Sequence, residues 1–177
     1  MAAAYNKGYI GRRFDQVCFV VDDIDEGVEF WRDTLGVENW AMAIDLAKYQ
    51  IEKEIWGRPG DFQYSCAYGL AGNTIIELAR HDGGDSVYGD WKGGPHHVGF
   101  RLEDRNEYDR AVADYEQAGL DRAMSAYFEM PDGSGGCRWV YFDTRKQLGC
   151  FTELYYLEGS TLVTMERMLK GEKVKLY

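Results

Sequence analysis

Gln16, Glu77, His97 and Glu153 are the residues of this sequence whose types and spacing suit joint chemistry. Gln16 and His97 stand 81 residues apart, nearly half of the 177-residue chain. Glu153 follows Glu77 by almost the same interval. The set offers one amide oxygen, two carboxylates and one imidazole. Four such donors around an open cleft suit a divalent cation with room left for water or substrate. Two carboxylates also balance its charge, and a buried carboxylate is costly unless it is paired or holds a metal.

The elements that must position these residues occur twice. Phe14-Asp15-Gln16-Val17-Cys18-Phe19-Val20-Val21 alternates as a half-buried strand does, and so does Pro95-His96-His97-Val98-Gly99-Phe100-Arg101-Leu102. Val17, Phe19 and Val21 face one way in the first copy, as Val98, Phe100 and Leu102 do in the second. Those apolar sets should pack under helices, which leaves Gln16 and His97 on the opposite face. Asn73-Thr74-Ile75-Ile76-Glu77-Leu78 and Cys150-Phe151-Thr152-Glu153-Leu154-Tyr155 form the second matched pair of strands. His96 has the opposite parity to His97 and should lie behind the donor set as support or packing. Arg101 shares the parity of His97. It could hold a substrate carboxylate or phosphate in the cleft, or close a salt bridge at the strand end.

Between these strands each half repeats one order, strand–helix–strand–strand–strand. Asp22-Asp23-Ile24-Asp25 supplies a helix start, Ile24, Val28, Trp31 and Leu35 an apolar stripe, and Gly36 a stop. Trp40 to Ile44 reads as a strand and Asp45 to Gly60 as a charged turn or loop. A hairpin is expected around Gly69–Gly72. In the second half, Tyr108, Val112 and Tyr115 mark a helix, and Gly133–Gly136 is read as a hairpin turn rather than a phosphate loop. We therefore expect an α+β fold of two tandem βαβββ modules, forming a curved eight-stranded sheet around a metal-binding cleft. The divisions are an N-terminal arm at 1–13, a first module at 14–80, a linker at 81–94, a second module at 95–157 and a partly helical tail at 158–177. Leu162, Met165 and Leu169 should pack that tail on the sheet or on a partner chain. Trp40, Trp56, Tyr64, Tyr127 and Trp139 are expected near the cleft and leave room for an apolar or aromatic substrate body.

The formal charge of −10 argues against nucleic acid or an anionic membrane as partner. Hydrophobic residues at 45 % supply ample core. Met1–Lys7 lacks the apolar stretch of a secretory leader, and the four cysteines show no Cys-x-x-Cys spacing. A cytoplasmic, reducing location is expected.

These stretches, with Phe30-Trp31-Arg32-Asp33-Thr34-Leu35-Gly36, Ile76-Glu77-Leu78, His96-His97-Val98-Gly99-Phe100 and Thr152-Glu153-Leu154, make the chain resemble the vicinal oxygen chelate superfamily. That superfamily includes glyoxalase I, methylmalonyl-CoA epimerase, extradiol dioxygenases and bleomycin-resistance proteins. The resemblance spans about Phe14 to Leu157 and leans to the glyoxalase I and methylmalonyl-CoA epimerase-like branch. It implies one divalent metal (zinc, nickel, cobalt, manganese or magnesium) held by Gln16, Glu77, His97 and Glu153, and a homodimer acting on a small molecule. The implied reaction is an isomerase, epimerase or lyase step of the glyoxalase type. A proton is abstracted next to a carbonyl while the metal stabilises the enediolate. Glu153 is the implied base, with Glu77 its counterpart or a plain ligand. Two alternatives stay open: a ring-cleaving extradiol-type dioxygenase, which looks for two histidines and one carboxylate, and a non-catalytic small-molecule-binding or resistance protein.

Overall fold

A computed structural model describes residues 14–170 and 172–174. The arm expected at 1–13 and the very end of the tail lie outside them. The first half runs β1 (Phe14–Val20), α1 (Ile24–Leu35), β2 (Trp40–Ala43), a 3₁₀ turn (Leu46–Tyr49), β3 (Gln50–Ile55), β4 (Arg58–Pro59), β5 (Gln63–Ala71) and β6 (Thr74–Gly83). The second runs β7 (Pro95–Arg101), α2 (Arg105–Gln117), β8 (Arg122–Glu129), β9 (Gly135–Phe142), the short α3 (Arg145–Leu148), β10 (Phe151–Glu158) and α4 (Gly159–Leu169).

Local chemistry sets the helices. The Asp23 carboxylate accepts from Glu26 N at 3.0 Å, capping α1. Gly36 ends it in the left-handed region at φ 74, where its N–H reaches Arg32 O. Ile24 is buried, and Val28 and Trp31 pack on Ala67, Ile76 and Leu78. Leu35, expected on the same stripe, is 52 % exposed. In α2 the Asp104 side chain caps Glu107 N at 2.9 Å. Tyr108, Ala111, Val112 and Tyr115 then bury against Val140, Phe142, Leu154 and Tyr156.

The strands form one curled half-barrel sheet in the order β2-β5-β6-β1-β7-β10-β9-β8-β3-β4. β1 runs parallel to β6 and β7 parallel to β10. β1 and β7 join antiparallel, so the two halves meet side by side within one chain. α1 and α2 cover the convex face. A large aromatic and aliphatic cluster fills the concave face.

The sheet has ten strands among the described residues, not the expected eight. The eight repeat strands are present, and the segment read as a loop at Asp45–Gly60 supplies two more. Trp56 and Gly57, at φ 48 and φ 72, turn β3 into β4, as a two-residue hairpin loop requires. β3 was hidden because a register shift between Ile51 and Glu54 breaks its alternation. It also pairs with β8 rather than with its own half. The chain leaves β2 at one end of the sheet, and its 3₁₀ turn touches both β5 and β8 on the way across.

Two smaller differences and one expected contact bear on the cleft. β5 continues through Gly69, where a Cβ would stand 2.8 Å from the Trp40 ring, and the turn falls at Gly72, φ 64. The stretch expected as a linker buries Tyr88, whose ring lies 4.6 Å from that of His96. α4 packs on β9 and β10 of its own sheet and buries Met165 and Met168. Among the described residues no helix is long and apolar enough to cross a membrane.

Candidate metal and proton-transfer site

The four central strands β6, β1, β7 and β10 each bring one expected donor to the concave face. Gln16 Nε2 lies 2.7 Å from Glu77 Oε2, 2.9 Å from Glu153 Oε2 and 3.1 Å from His97 Nε2. His97 Nε2 lies 3.0 Å from Glu77 Oε2 and 3.3 Å from Glu153 Oε2. All four residues are buried. Spacings of this size are those of adjacent corners in a coordination shell with bonds of ~2.0–2.2 Å. A half-turn of the Gln16 amide presents its oxygen in place of its nitrogen. The residues fit one divalent ion.

Register explains the convergence. Cys18 stands opposite Glu77 on one side and His97 on the other. Gly99 occupies the matching place in the second half, between Gln16 and Glu153. A Cβ at Gly99 would meet Gln16 Cβ at 2.8 Å and Glu153 Oε2 at 3.1 Å. Only glycine leaves the two side chains room to meet.

His96 supports His97 from an unexpected direction. Where β1 advances one residue from Cys18 to Phe19, β7 steps back two, from His97 to Pro95. His96 is the extra residue of this bulge, which suspends the alternation and buries both histidines. Their Nδ1 atoms are 2.9 Å apart, and His96 Nε2 donates to Val87 O at 3.2 Å. Burial keeps His96 neutral. Its Nδ1 must then accept, so His97 donates from Nδ1 and aims Nε2 at the donor cluster. The Tyr141 ring lies 4.5 Å from the His97 ring and fixes its plane.

The two carboxylates are not equivalent. Burial opposes ionisation of Glu77, but its hydrogen bond to His97 and its thiol partners outweigh this and hold it below the usual range. Cys66 Sγ donates to Glu77 Oε1 at 2.9 Å. Burial keeps Cys18 and Cys66 as thiols by pushing both well up. Burial raises Glu153 despite His97, and the neighbouring Glu77 and Asp15 charges add to the rise. For His97, burial works against the cation, yet Glu153 and Glu77 prevail and lift it to about 9. A divalent ion would take the place of that proton. The sequence reading did not single out Cys18, Cys66 or Gly99. Cys18 carried a signal, because it shares the parity of Gln16 and is the repeat partner of Gly99.

Arg101, read as a substrate cation or a salt bridge, takes the second course. Its Nε lies 3.2 Å from Asp15 Oδ2, and it is not on the cavity wall described below. A register shift between Phe14 and Gln16 gives Asp15 a place beside Gln16, where Tyr155 donates to it at 2.8 Å. Tyr64 and Trp139 line the same cavity as the donors. Trp40 packs with the α1 cluster, Trp56 is 42 % exposed, and Tyr127 stacks against Arg138.

Two half-sheets joined at their first strands, with a four-donor set at the seam, define a paired-module protein with a candidate metal site. The chain belongs to the Glyoxalase/Bleomycin resistance protein/Dioxygenase superfamily, whose sequence profile matches residues 15–141. No curated protein matches it. Among solved structures it is similar to a variant of the Streptomyces coelicolor methylmalonyl-CoA epimerase in complex with 2-nitronate-propionyl-CoA. That match has 21 % identity and a TM-score of 0.55, over 81 % of this chain and 96 % of that one. A methylmalonyl-CoA epimerase in complex with methylmalonyl-CoA and NH4+ matches at 24 % identity and TM-score 0.54, over 81 % and 93 %. The epimerase from Mycobacterium tuberculosis matches at 18 % and 0.52, over 85 % and 91 %.

Proposed function

We propose that this protein is a metal-dependent isomerase, epimerase or lyase of the glyoxalase type, acting on a small carbonyl compound by proton transfer next to the carbonyl. The observation that carries the reading is the convergence of Gln16, Glu77, His97 and Glu153 with two unequal carboxylates. A divalent ion held by these four would supply Lewis-acid polarisation of a carbonyl oxygen. Glu153, the more basic carboxylate, takes the proton from the carbon beside that carbonyl and returns it to the same or the neighbouring carbon. Glu77, whose ionised form is favoured by His97 and then by the Cys66 and Cys18 thiols, serves as ligand and as the counterpart across the substrate. His96 keeps the His97 lone pair aimed inward. The surrounding tyrosines and Trp139 exclude water, which strengthens each electrostatic contact. A ring-cleaving dioxygenase is less well matched, because the donor set offers one imidazole where that chemistry uses two.

Solvent exchange tests this directly. The metal-loaded protein, incubated in heavy water with candidate 2-methylacyl-CoA, hemithioacetal and hydroxyketone compounds, should introduce deuterium at the acidic carbon of its substrate. Glu153→Gln should slow this by roughly 10²–10⁴-fold with little change in substrate affinity. His97→Ala should abolish metal binding. Tight binding at the site with no exchange and no conversion would favour a binding protein, and oxygen uptake with a catechol and ferrous iron would favour the dioxygenase.

A further inference from the structure

The donor cluster closes one end of a cavity whose other end is built by two elements outside the repeat. One is the segment that crosses from β2 to β3, which contributes Leu46 and Gln50. The other is α4, which contributes Thr161, Thr164 and Met165. Gln50 pairs with Phe128, Phe128 with Cys137 and Cys137 with Leu157. That row lies four residues beyond Glu153 along β10, a rise of roughly 13 Å. The far end is therefore distinct from the donor cluster.

Among the described residues, polar atoms at that end lack partners. Gln50, 6 % exposed, gives its amide N–H to Tyr64 Oη, and its Oε1 is buried with no donor. Turning the amide over would leave its N–H unpartnered instead. Thr161 Oγ1 is likewise buried and unpaired. Buried polar atoms of this kind are rare unless something completes them. Between the two ends the wall is largely apolar, with Phe128, Trp139, Leu157 and Met165. Among the described residues no lysine or arginine lines the cavity, and its charged members are Glu77 and Glu153. A polyanionic carrier would find no counter-charge there.

We infer that the cavity takes a compact, uncharged substrate with a polar group at each end. A carbonyl oxygen sits at Gln16, Glu77, His97 and Glu153. A neutral hydroxyl or carbonyl sits at Gln50, Tyr64 and Thr161, and an aromatic-sized apolar body joins the two. The inference rests on the proton-transfer reading above and names the substrate class for it. It assigns discrimination to Gln50 at the start of β3 and Thr161 on α4, which the repeated modules do not supply, with Tyr64 of β5 as the partner of Gln50.

Calorimetric titration of the zinc-loaded full chain with 2-hydroxyacetophenone, its para-hydroxylated analogue and methylmalonyl-CoA tests this. The para-hydroxyl should tighten binding by roughly tenfold or more, since a site built for a hydroxyl penalises its loss. Gln50→Leu and Thr161→Val should each remove most of that advantage and leave the unsubstituted ketone nearly unchanged. Thr161→Val keeps the side-chain shape, so it remains informative if Gln50→Leu does not fold. Equal binding of the two ketones, or an advantage that survives both substitutions, overturns the inference. Deuterium exchange on methylmalonyl-CoA with neither ketone bound also overturns it, while leaving the proton-transfer reading intact. Hydroxyl discrimination without any exchange supports the pocket and counts against the reaction.

Discussion

Cys66 donates its thiol hydrogen to Glu77 Oε1 at 2.9 Å, across the β5–β6 pair. With the hydrogen bond from His97, this contact separates two carboxylates that the internal repeat makes formally equivalent. Glu77 is held as a carboxylate, while Glu153 is left with the greater proton affinity. Cys66→Ala should therefore weaken the site through Glu77 without touching Glu153. Loss of a partner behind a metal ligand typically costs 10–100-fold in affinity. Zinc affinity by chelator competition should fall within about that range, and an unchanged value would mean that the thiol does not hold Glu77.

Gly99 tests the packing of the site independently of its charges. Gly99→Ala would press a methyl group against Gln16 Cβ at 2.8 Å and Glu153 Oε2 at 3.1 Å. Overpacking of this kind costs about 1–3 kcal/mol. We expect a lowered Tm together with impaired metal binding. A variant with native zinc affinity would show that Gln16 and Glu153 need not approach across Gly99.

The chelator-treated protein should show a pH dependence set by His97. Its folded-state pKa is raised from 6.5 to about 9 despite burial, because Glu153 and Glu77 face it. A raised pKa means that the folded state binds the proton more tightly than the unfolded chain does. The stabilisation is thus complete below pH 6.5 and is lost as the pH rises through about 9. Urea midpoints measured across that window should fall with pH, and His97→Gln should flatten the slope. An equally steep fall in the variant would assign the effect to another group.

Removal of α4 should expose the concave cluster. Met165 and Met168 are buried against it, and full burial of such a side chain contributes about 1.5–3 kcal/mol. Truncation after Glu158 should lower stability by about 3–6 kcal/mol in urea unfolding. A truncated chain of native stability would show that the helix rests on the sheet without supporting it.

The sequence by itself determined which residues share a face and which positions repeat. Strand alternation has a period of two wherever the backbone is regular, so Gln16, Glu77, His97 and Glu153 could be placed together from parity and the repeat. Caps are equally local, and Asp23 and Gly36 bounded α1 where their chemistry demands. The tertiary structure decided whatever depends on irregular backbone or on residues remote in the chain. The bulge at His96 decided how the residue expected as support reaches His97, through its Nδ1. The shift at Asp15 accompanied the pairing of Arg101 with a carboxylate instead of the cavity. The two carboxylates differ through contacts remote in the chain, with His97 and then the Cys66 and Cys18 thiols lowering Glu77 while burial raises Glu153. The β3–β4 hairpin was invisible for a related reason. A strand's partner is chosen by which exposed sheet edge it can reach, and β3 reaches β8, whose own sequence lies some seventy residues away. Alternation specifies a face; only the folded chain specifies the neighbour across it.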